Sequence, residues 1–290
     1  LTIRKLAREI VLIDIHEEKT IGEALDIQHG IPDMGISSVR AGTYADCKDC
    51  DLIIITAGRN RKRGESRLDL IAGNSAILKD VVGQMKPYYT KGVIMIVSNP
   101  VDVLVYQCTK WMGLPNGMVF GTGCILDSSR FTRLIADYTH LNTEVVKATI
   151  VGEHGDAQIP IWSRASIAGV PLQEYCENVG LKWDEEIRKE ISDKVREMGA
   201  TIIKGKGRTH YGIATCVCYL AEAVLNQRLT IAPVSTMFQG EYGIEDVCLS
   251  VPSIIGVNGV EKRLEERWAE EEFQAFRQAA DKMKKVLKTL

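Results

Sequence analysis

The sequence predicts an α/β protein: a parallel sheet covered by helices on both faces over the first half, continued by an α+β half. Two observations carry this reading. In the first half, short uninterrupted apolar runs alternate with stretches of helical spacing, as strands buried on both faces require. From about Asp127 onward the texture changes, and longer helical stretches stand apart from β-rich runs.

The elements follow in order. Glu9–Ile15 reads as a strand and Ile21–His29 as the start of an amphipathic helix. Asp51–Thr56 is a second strand, apolar or β-branched throughout after its aspartate. Arg67–Tyr89 has helical spacing, Gly92–Ser98 is a third strand, a helix follows near Val101–Met112, and Met118–Gly121 is a short fourth strand. The second half opens with a helix at Ser128–Tyr138 and a Val/Thr/Ile strand near Val145–Val151. Helices are expected at Trp183–Lys204 and His210–Asn226, and strands near Thr230–Thr236 and Val247–Ile255. A charged amphipathic helix runs from Glu265 almost to the end. Neither repeats nor a low-complexity linker interrupt the chain.

Bulk properties exclude several classes of function. The 290 residues are enough for a sizeable core, and 45% hydrophobic with 26% charged residues is ordinary for a globular protein. A net charge of −2 gives no electrostatic reason to expect nucleic acid or an anionic membrane as partner. No run reaches the 18 or so apolar residues of a membrane span, and no signal peptide opens the sequence. Eight cysteines are scattered, mostly in apolar runs, which suits buried thiols in a reducing, cytoplasmic setting. Cys47-Lys-Asp-Cys50 is a lone CxxC without a second ligand pair, so no metal site is expected.

Several residues carry candidate chemistry. Asp14 ends the strand Val11-Leu-Ile-Asp14, where a carboxylate accepts the ribose hydroxyls of NAD and repels the 2′-phosphate of NADP. A solvated aspartate at a strand end is the plainer reading of it alone. A dinucleotide fold also needs a glycine-rich turn about 20 residues earlier, which falls before Leu1, so that turn is expected to be missing from this sequence. Thr56-Ala-Gly58 follows the second strand, and its small residues let a ligand approach the backbone.

Arg59-Asn-Arg-Lys-Arg-Gly-Glu-Ser-Arg67 holds five basic residues in nine. Without interleaved aromatics it makes a poor nucleic-acid patch. A loop at the carboxyl edge of a sheet, jointed at Gly64, suits a lid that closes over an anion and excludes water. Ser98-Asn99-Pro100 is by itself an ordinary Asn-Pro turn, although its amide could hydrogen-bond a substrate or a nicotinamide group.

Asp127 and Arg130 stand three apart at a helix start and share a face. They are either a surface ion pair or a division of labour, with Arg130 clamping a carboxylate through two parallel hydrogen bonds and Asp127 facing a histidine. Val151-Gly-Glu-His154-Gly-Asp156 supplies that histidine, little walled in by its glycine neighbours. No second His or Cys stands at metal-ligand spacing. A carboxylate beside an imidazole fixes its orientation and favours its protonated form, which makes an acid/base working near neutral pH.

Together these pieces resemble the lactate/malate dehydrogenase family. The match runs through Ile13-Asp14, Thr56-Ala-Gly58, Gly64-Glu-Ser-Arg-Leu68, Val97-Ser-Asn-Pro-Val-Asp102, Gly121-Thr-Gly-Cys-Ile-Leu-Asp-Ser-Ser-Arg-Phe131 and Gly152-Glu-His-Gly-Asp156. It continues in Pro233-Val-Ser-Thr236 and Tyr242-Gly-Ile-Glu-Asp246, and so spans essentially the whole chain. The resemblance implies a Rossmann NAD-binding domain over residues 1–126 and an α+β substrate domain over 127–290, assembled as a homodimer or homotetramer. It implies His154 as the proton-exchanging residue, Asp127 orienting it, Arg130 binding the substrate carboxylate, and Arg67 polarising the carbonyl from the closing lid. Asn99 and Thr209 would line the pocket. Asp14, Thr56, Ala57, Gly58, Val97 and Asn99 would bind NAD.

The branch within the family turns on the lid. The pyruvate/lactate enzymes typically carry Gln six residues before the lid arginine; here stands Arg61, followed by Lys62, as in the oxaloacetate/malate enzymes. Arg61 could pair a second substrate carboxylate, whereas facing a methyl group it must turn to water or stay unpaired at a cost of several kcal/mol. Gly64-Glu-Ser-Arg67, Gly152-Glu-His154, Gly121-Thr-Gly-Cys124 and the bulk of Thr209 point to the pyruvate/lactate branch, which is the expected one. Where some bacterial relatives hold an Arg and a His for fructose 1,6-bisphosphate, this chain has Thr132 and Lys147, so that regulation is not expected. An NAD-dependent glycoside hydrolase would need metal-binding Cys/His, and a non-catalytic NAD-binding protein would have no use for Asp127, Arg130, His154 and the arginine lid together.

Overall fold

The computed structural model describes residues 1–34, 38–60 and 65–290, with the backbone alone at 33, 34 and 67. Two compact units emerge. The first comprises Leu1–Phe120, Val217–Thr230 and Ile254–Lys262; the second comprises Gly121–Cys216, Ile231–Ser253 and Arg263–Leu290.

In the first unit, strands β1 (Glu9–Leu12) and β2 (Ser38–Ala41) pair in parallel across helix α1 (Glu17–Met34), with Glu9 opposite Ser38. Strands β3 (Leu52–Ile55) and β4 (Val93–Ile96) form a second parallel pair joined through helix α2 (Arg67–Met85), with Leu52 opposite Val93 and Ile55 opposite Ile96. Helix α3 (Val101–Met112) leads to β5 (Val119–Gly121), and Ile94 N–H donates to the Met118 carbonyl at 2.8 Å. All four side chains of β4 have zero exposure. That two-sided burial is why this run is uninterruptedly apolar rather than alternating. Helix α3 stops at Gly113, whose φ of +68° lets its N–H cap the Thr109 carbonyl.

The elements that follow are α4 (Ile125–Thr139), β6 (Val146–Lys147), β7 (Ile150–Gly152), β8 (Gln158–Pro160), β9 (Ser166–Ile167), β10 (Val170–Pro171), α5 (Leu172–Val179), α6 (Glu185–Lys206) and α7 (Tyr211–Leu225). After them come β11 (Thr230–Gln239), β12 (Glu245–Gly256), β13 (Gly259–Arg263) and α8 (Glu270–Leu287). In the second unit β7 lies between β8 and β12, antiparallel to both, with Gly152 opposite Gln158 and Ser250. Helices α4 and α6 close over a core that includes Phe131, Ile135, Ile150, Ile187, Ile191 and Val195. Phe131 meets Trp162 edge-on at 4.6 Å between ring centroids.

The single strand expected at Val145–Val151 is two strands. Val146 pairs with Ile167 in the small β6–β9–β10 sheet, while Ile150–Gly152 pairs with β8 and β12. Partners elsewhere in the chain, not local composition, cut the run. The last helix begins at Glu270 rather than Glu265 because the preceding residues hold Tyr242. Glu265 accepts the Tyr242 N–H at 2.9 Å, the Tyr242 hydroxyl accepts from Glu266 N–H at 2.8 Å, and Trp268 stacks on the ring at 4.7 Å. The short strands β2, β8, β9, β10 and β13 and helix α5 have no counterpart in the sequence expectations.

Candidate active site

The second unit assembles a three-residue cluster from α4 and the end of β7. The turn before α4 is fixed by Gly123, at φ +51°: a β-carbon there would lie 2.3 Å from Ser250 Oγ and 2.5 Å from Ser235 N. Cys124 N–H, at the helix cap, donates to Ser250 Oγ at 3.1 Å. One turn into the helix, Asp127 and Arg130 project from the same face. Ser128, between them, accepts the Ile150 N–H at 2.8 Å and so pins β7 against α4. Two residues past the end of β7 comes His154.

The resulting contacts converge on one carboxylate. His154 Nδ1 lies 2.6 Å from Asp127 Oδ2, and Arg130 Nη1 donates to Asp127 Oδ1 at 3.0 Å. The Asp127 side chain is 3% exposed and that of Arg130 13%, while His154 keeps 23%. A carboxylate this deep requires partners, because an isolated buried charge costs several kcal/mol. Here each oxygen has one. Asp127 accepts, so Nδ1 carries the proton of a neutral ring and proton exchange falls to Nε2. A guanidinium has five N–H donors in one plane. One on Arg130 Nη1 serves Asp127, which still leaves the fork of Nη1 and Nη2 able to grip a carboxylate end-on. The surface-pair reading of Asp127 and Arg130 is thus replaced by a triad centred on a buried carboxylate.

In the first unit, the residues expected to bind NAD lie beyond the carboxyl ends of parallel strands, where such sheets bind dinucleotides. Asp14 is exposed two residues after β1, and its Oδ1 accepts the His16 N–H at 3.0 Å. Thr56, Ala57 and Gly58 are exposed after β3. Val97 N–H donates to the Ile55 carbonyl at 2.9 Å, and Asn99 precedes Pro100 through a cis peptide. A β-carbon on Gly58 would meet Ser98 Cβ at 3.4 Å and Asn74 Oδ1 at 3.5 Å, which places this loop directly against the Ser98 loop and α2.

Sequence reasoning missed the residue that ties these loops together. Asn74, 2% exposed on α2, accepts the Arg59 N–H at 2.9 Å and donates to the carbonyls of Arg59 at 3.1 Å and Asn99 at 2.6 Å. A polar residue inside an otherwise apolar helical face was its only signal.

The arginine-rich segment is described in part. Arg59, read as part of the lid, folds back instead: it pairs with Glu65 at 2.6 Å and donates to the Asp69 carbonyl at 3.1 Å. Arg61, Lys62 and Gly64 lie outside the described residues. Ser66 caps α2 by accepting the Asp69 N–H at 3.1 Å, and Arg67 is the first residue of that helix. Thr209, half-buried, follows the end of α6, which Gly207 terminates at φ +84°.

Residues 1–121 match the family model for the lactate/malate dehydrogenase NAD binding domain, and residues 124–290 match that for the lactate/malate dehydrogenase alpha/beta C-terminal domain. An L-lactate dehydrogenase of Acetivibrio thermocellus is 39% identical over 290 residues, covering 100% of this chain and 92% of its own length. One from Thermoanaerobacterium saccharolyticum is 42% identical over 282 residues, covering 97% and 91%. Among solved structures, a minor L-lactate dehydrogenase from Enterococcus mundtii aligns with a TM-score of 0.95 at 37% identity, covering 100% of this chain and 92% of that one. The fold, both halves of the sequence and the full-length relatives agree: this chain belongs to the lactate/malate dehydrogenase family.

Proposed function

We propose that the chain is an NAD-dependent L-lactate dehydrogenase, which reduces pyruvate to L-lactate reversibly. The observation that carries this reading is the buried Asp127 carboxylate, shared between the His154 imidazole and the Arg130 guanidinium. The names of the full-length relatives support pyruvate over oxaloacetate.

The residues fit the cofactor. An exposed carboxylate at Asp14 suits ribose hydroxyls and disfavours a 2′-phosphate, and a glycine at 58 gives backbone access. Bound NADH supplies a hydride to C2 of the oxo acid. The rest falls to the chain. Arg130 holds the carboxylate through its fork and fixes the acid's orientation. The protonated His154 gives its Nε2 proton to the carbonyl oxygen as negative charge develops there, and Asp127 stabilises the imidazolium before transfer. Arg67 polarises the same carbonyl, while Asn99 and Thr209 line the pocket. One hydride and one proton convert the ketone to the alcohol, and the reverse reaction returns the proton to His154. The division of labour gives NAD to residues 1–126, and the carboxylate clamp and proton donor for the oxo acid to 127–290.

The lid sequence makes the substrate testable. With NADH, kcat/KM is expected to favour pyruvate over oxaloacetate, and Arg61→Gln to widen that preference. A wild-type preference for oxaloacetate beyond about a hundredfold, roughly 2.7 kcal/mol, would overturn the assignment.

We also propose a homo-oligomer in the cytoplasm. Ile21, Leu25 and Ile27 are exposed on α1, and Ile202, Ile203 and Tyr211 on α6 and α7, and a second copy of the chain could cover such side chains. No helix among the described residues is long and apolar enough to cross a membrane, and all eight cysteines are free, which suits a reducing compartment. Light scattering after size exclusion is expected to give a dimer or tetramer; a monomer at micromolar concentration would contradict it.

A further inference from the structure

Arg59 follows the end of β3, and its main chain is fastened to α2: its N–H donates to Asn74 Oδ1 and its carbonyl accepts from Asn74 Nδ2. The side chain then runs back toward the start of the same helix. Nη1 pairs with Glu65 Oε2 at 2.6 Å, and Nη2 donates to the Asp69 carbonyl at 3.1 Å. Glu65 stands two residues before Arg67 and Asp69 two residues after it, so one planar guanidinium bridges both flanks of Arg67. Gly73 makes room for that bridge. It lies inside α2, where alanine is the better helix former. A β-carbon there would come within 2.7 Å of Arg59 Nε and Nη2 and 3.0 Å of Cζ, the nearest described atoms it would meet from elsewhere in the chain. The ion pair itself, with side chains 30% and 22% exposed, is too well solvated to add much stability. What it fixes is a position. The capping box of Ser66 and Asp69 closes the turn that starts α2, but its bonds are internal to that turn. Arg59 ties the turn to the chain leaving the carboxyl end of β3.

We propose that Arg59 is a positioning residue, seated by Gly73, that holds the start of α2 and with it the backbone of Arg67 in place for hydride transfer. The inference rests on the assignment of Arg67 as the group that polarises the substrate carbonyl. Arg59 makes and breaks no bond in the reaction. It acts through Arg67, whose charge matters most when negative charge develops on the carbonyl oxygen, so its contribution belongs to the transition state and not to the binding of NADH. A misplacement of about 1 Å at a reacting group costs about a hundredfold, and a partial loosening of the turn is expected to cost about tenfold.

The test measures the single-turnover rate of NADH oxidation at saturating pyruvate in wild type, Arg59→Met, Gly73→Ala, Arg67→Gln and the double variant Arg59→Met/Arg67→Gln. Methionine keeps the apolar stem of Arg59 and removes its donors. Gly73→Ala keeps the arginine but drives its guanidinium off the helix, and decides alone should Arg59→Met fail to fold. Each of these two is expected to lower the rate by about tenfold, with the KM for NADH and the thermal midpoint close to wild type. Arg67→Gln is expected to lower it further than either. On top of Arg67→Gln, Arg59→Met should then cost nothing more, because its effect runs through the missing arginine. A rate unchanged in either single variant, or a tenfold loss that persists in full in the Arg67→Gln background, overturns the role of Arg59 and leaves the dehydrogenase reading standing. A wild-type rate in Arg67→Gln, or a wild type that reduces no 2-oxo acid, removes the reading on which the role rests.

Discussion

His154→Asn lowers kcat/KM for pyruvate by about a thousandfold, while the protein stays folded and still binds NADH. The size follows from the step removed. General acid–base catalysis by a placed side chain contributes typically 10²–10⁴-fold, and without the imidazole the developing alkoxide has no proton donor at hydrogen-bond reach. Asparagine is the informative replacement because its amide can still donate to Asp127 Oδ2, which His154 Nδ1 approaches at 2.6 Å. Alanine would strip a partner from a carboxylate that is only 3% exposed and mix a stability loss into the kinetics. The pH profile offers a second readout. Pyruvate reduction needs the protonated ring and lactate oxidation the neutral one, so the two directions should show opposite pH limbs in the wild type. The variant should lose both. Stopped-flow or steady-state NADH absorbance measures all of this, and wild-type turnover in the variant would remove His154 from the chemistry.

The sequence shows some of this architecture better than the rest, for physical reasons. Val93–Ile96 is legible because a strand buried on both faces must be apolar at every position. Asp127 and Arg130 are legible as a pair because a helix brings i and i+3 together. That one carboxylate serves both the guanidinium and an imidazole 27 residues on depends on β7 docking against α4, and the clamp for that docking is a serine. Ser128 looks like any serine in a helix; only its partner Ile150 N–H reveals its task. Asn74 is the same case, with three partners on two loops. Arg59 shows the converse. It stands in the basic run that suits a lid, yet it pairs with Glu65, six residues on, and donates to the Asp69 carbonyl in α2. Charge runs state what can be attracted, while the tertiary contact decides what each member does.

Arg130→Lys is expected to lower kcat/KM for pyruvate by about a hundredfold, chiefly through KM. Lysine keeps the charge, so the change isolates geometry from electrostatics. Arg130 does two things at once: Nη1 donates to Asp127 Oδ1 at 3.0 Å, and the remaining N–H groups of Nη1 and Nη2 can grip the substrate in parallel. A single ammonium on a flexible stem cannot span both. It can stay with the buried carboxylate, leaving the substrate at most one bond, or leave Asp127 with a vacant acceptor. Either way about one hydrogen bond to a charged group is lost, worth roughly 1.5–3 kcal/mol, which at 1.4 kcal/mol per decade covers the expected factor. Because the carboxylate is held alike in ground and transition states, the loss belongs to binding, with kcat falling less. Substrate saturation curves for the two proteins decide the matter. A KM within a few-fold of wild type would mean that Arg130 serves Asp127 alone, and the triad would then be a structural device with the substrate's carboxylate held by some other cation.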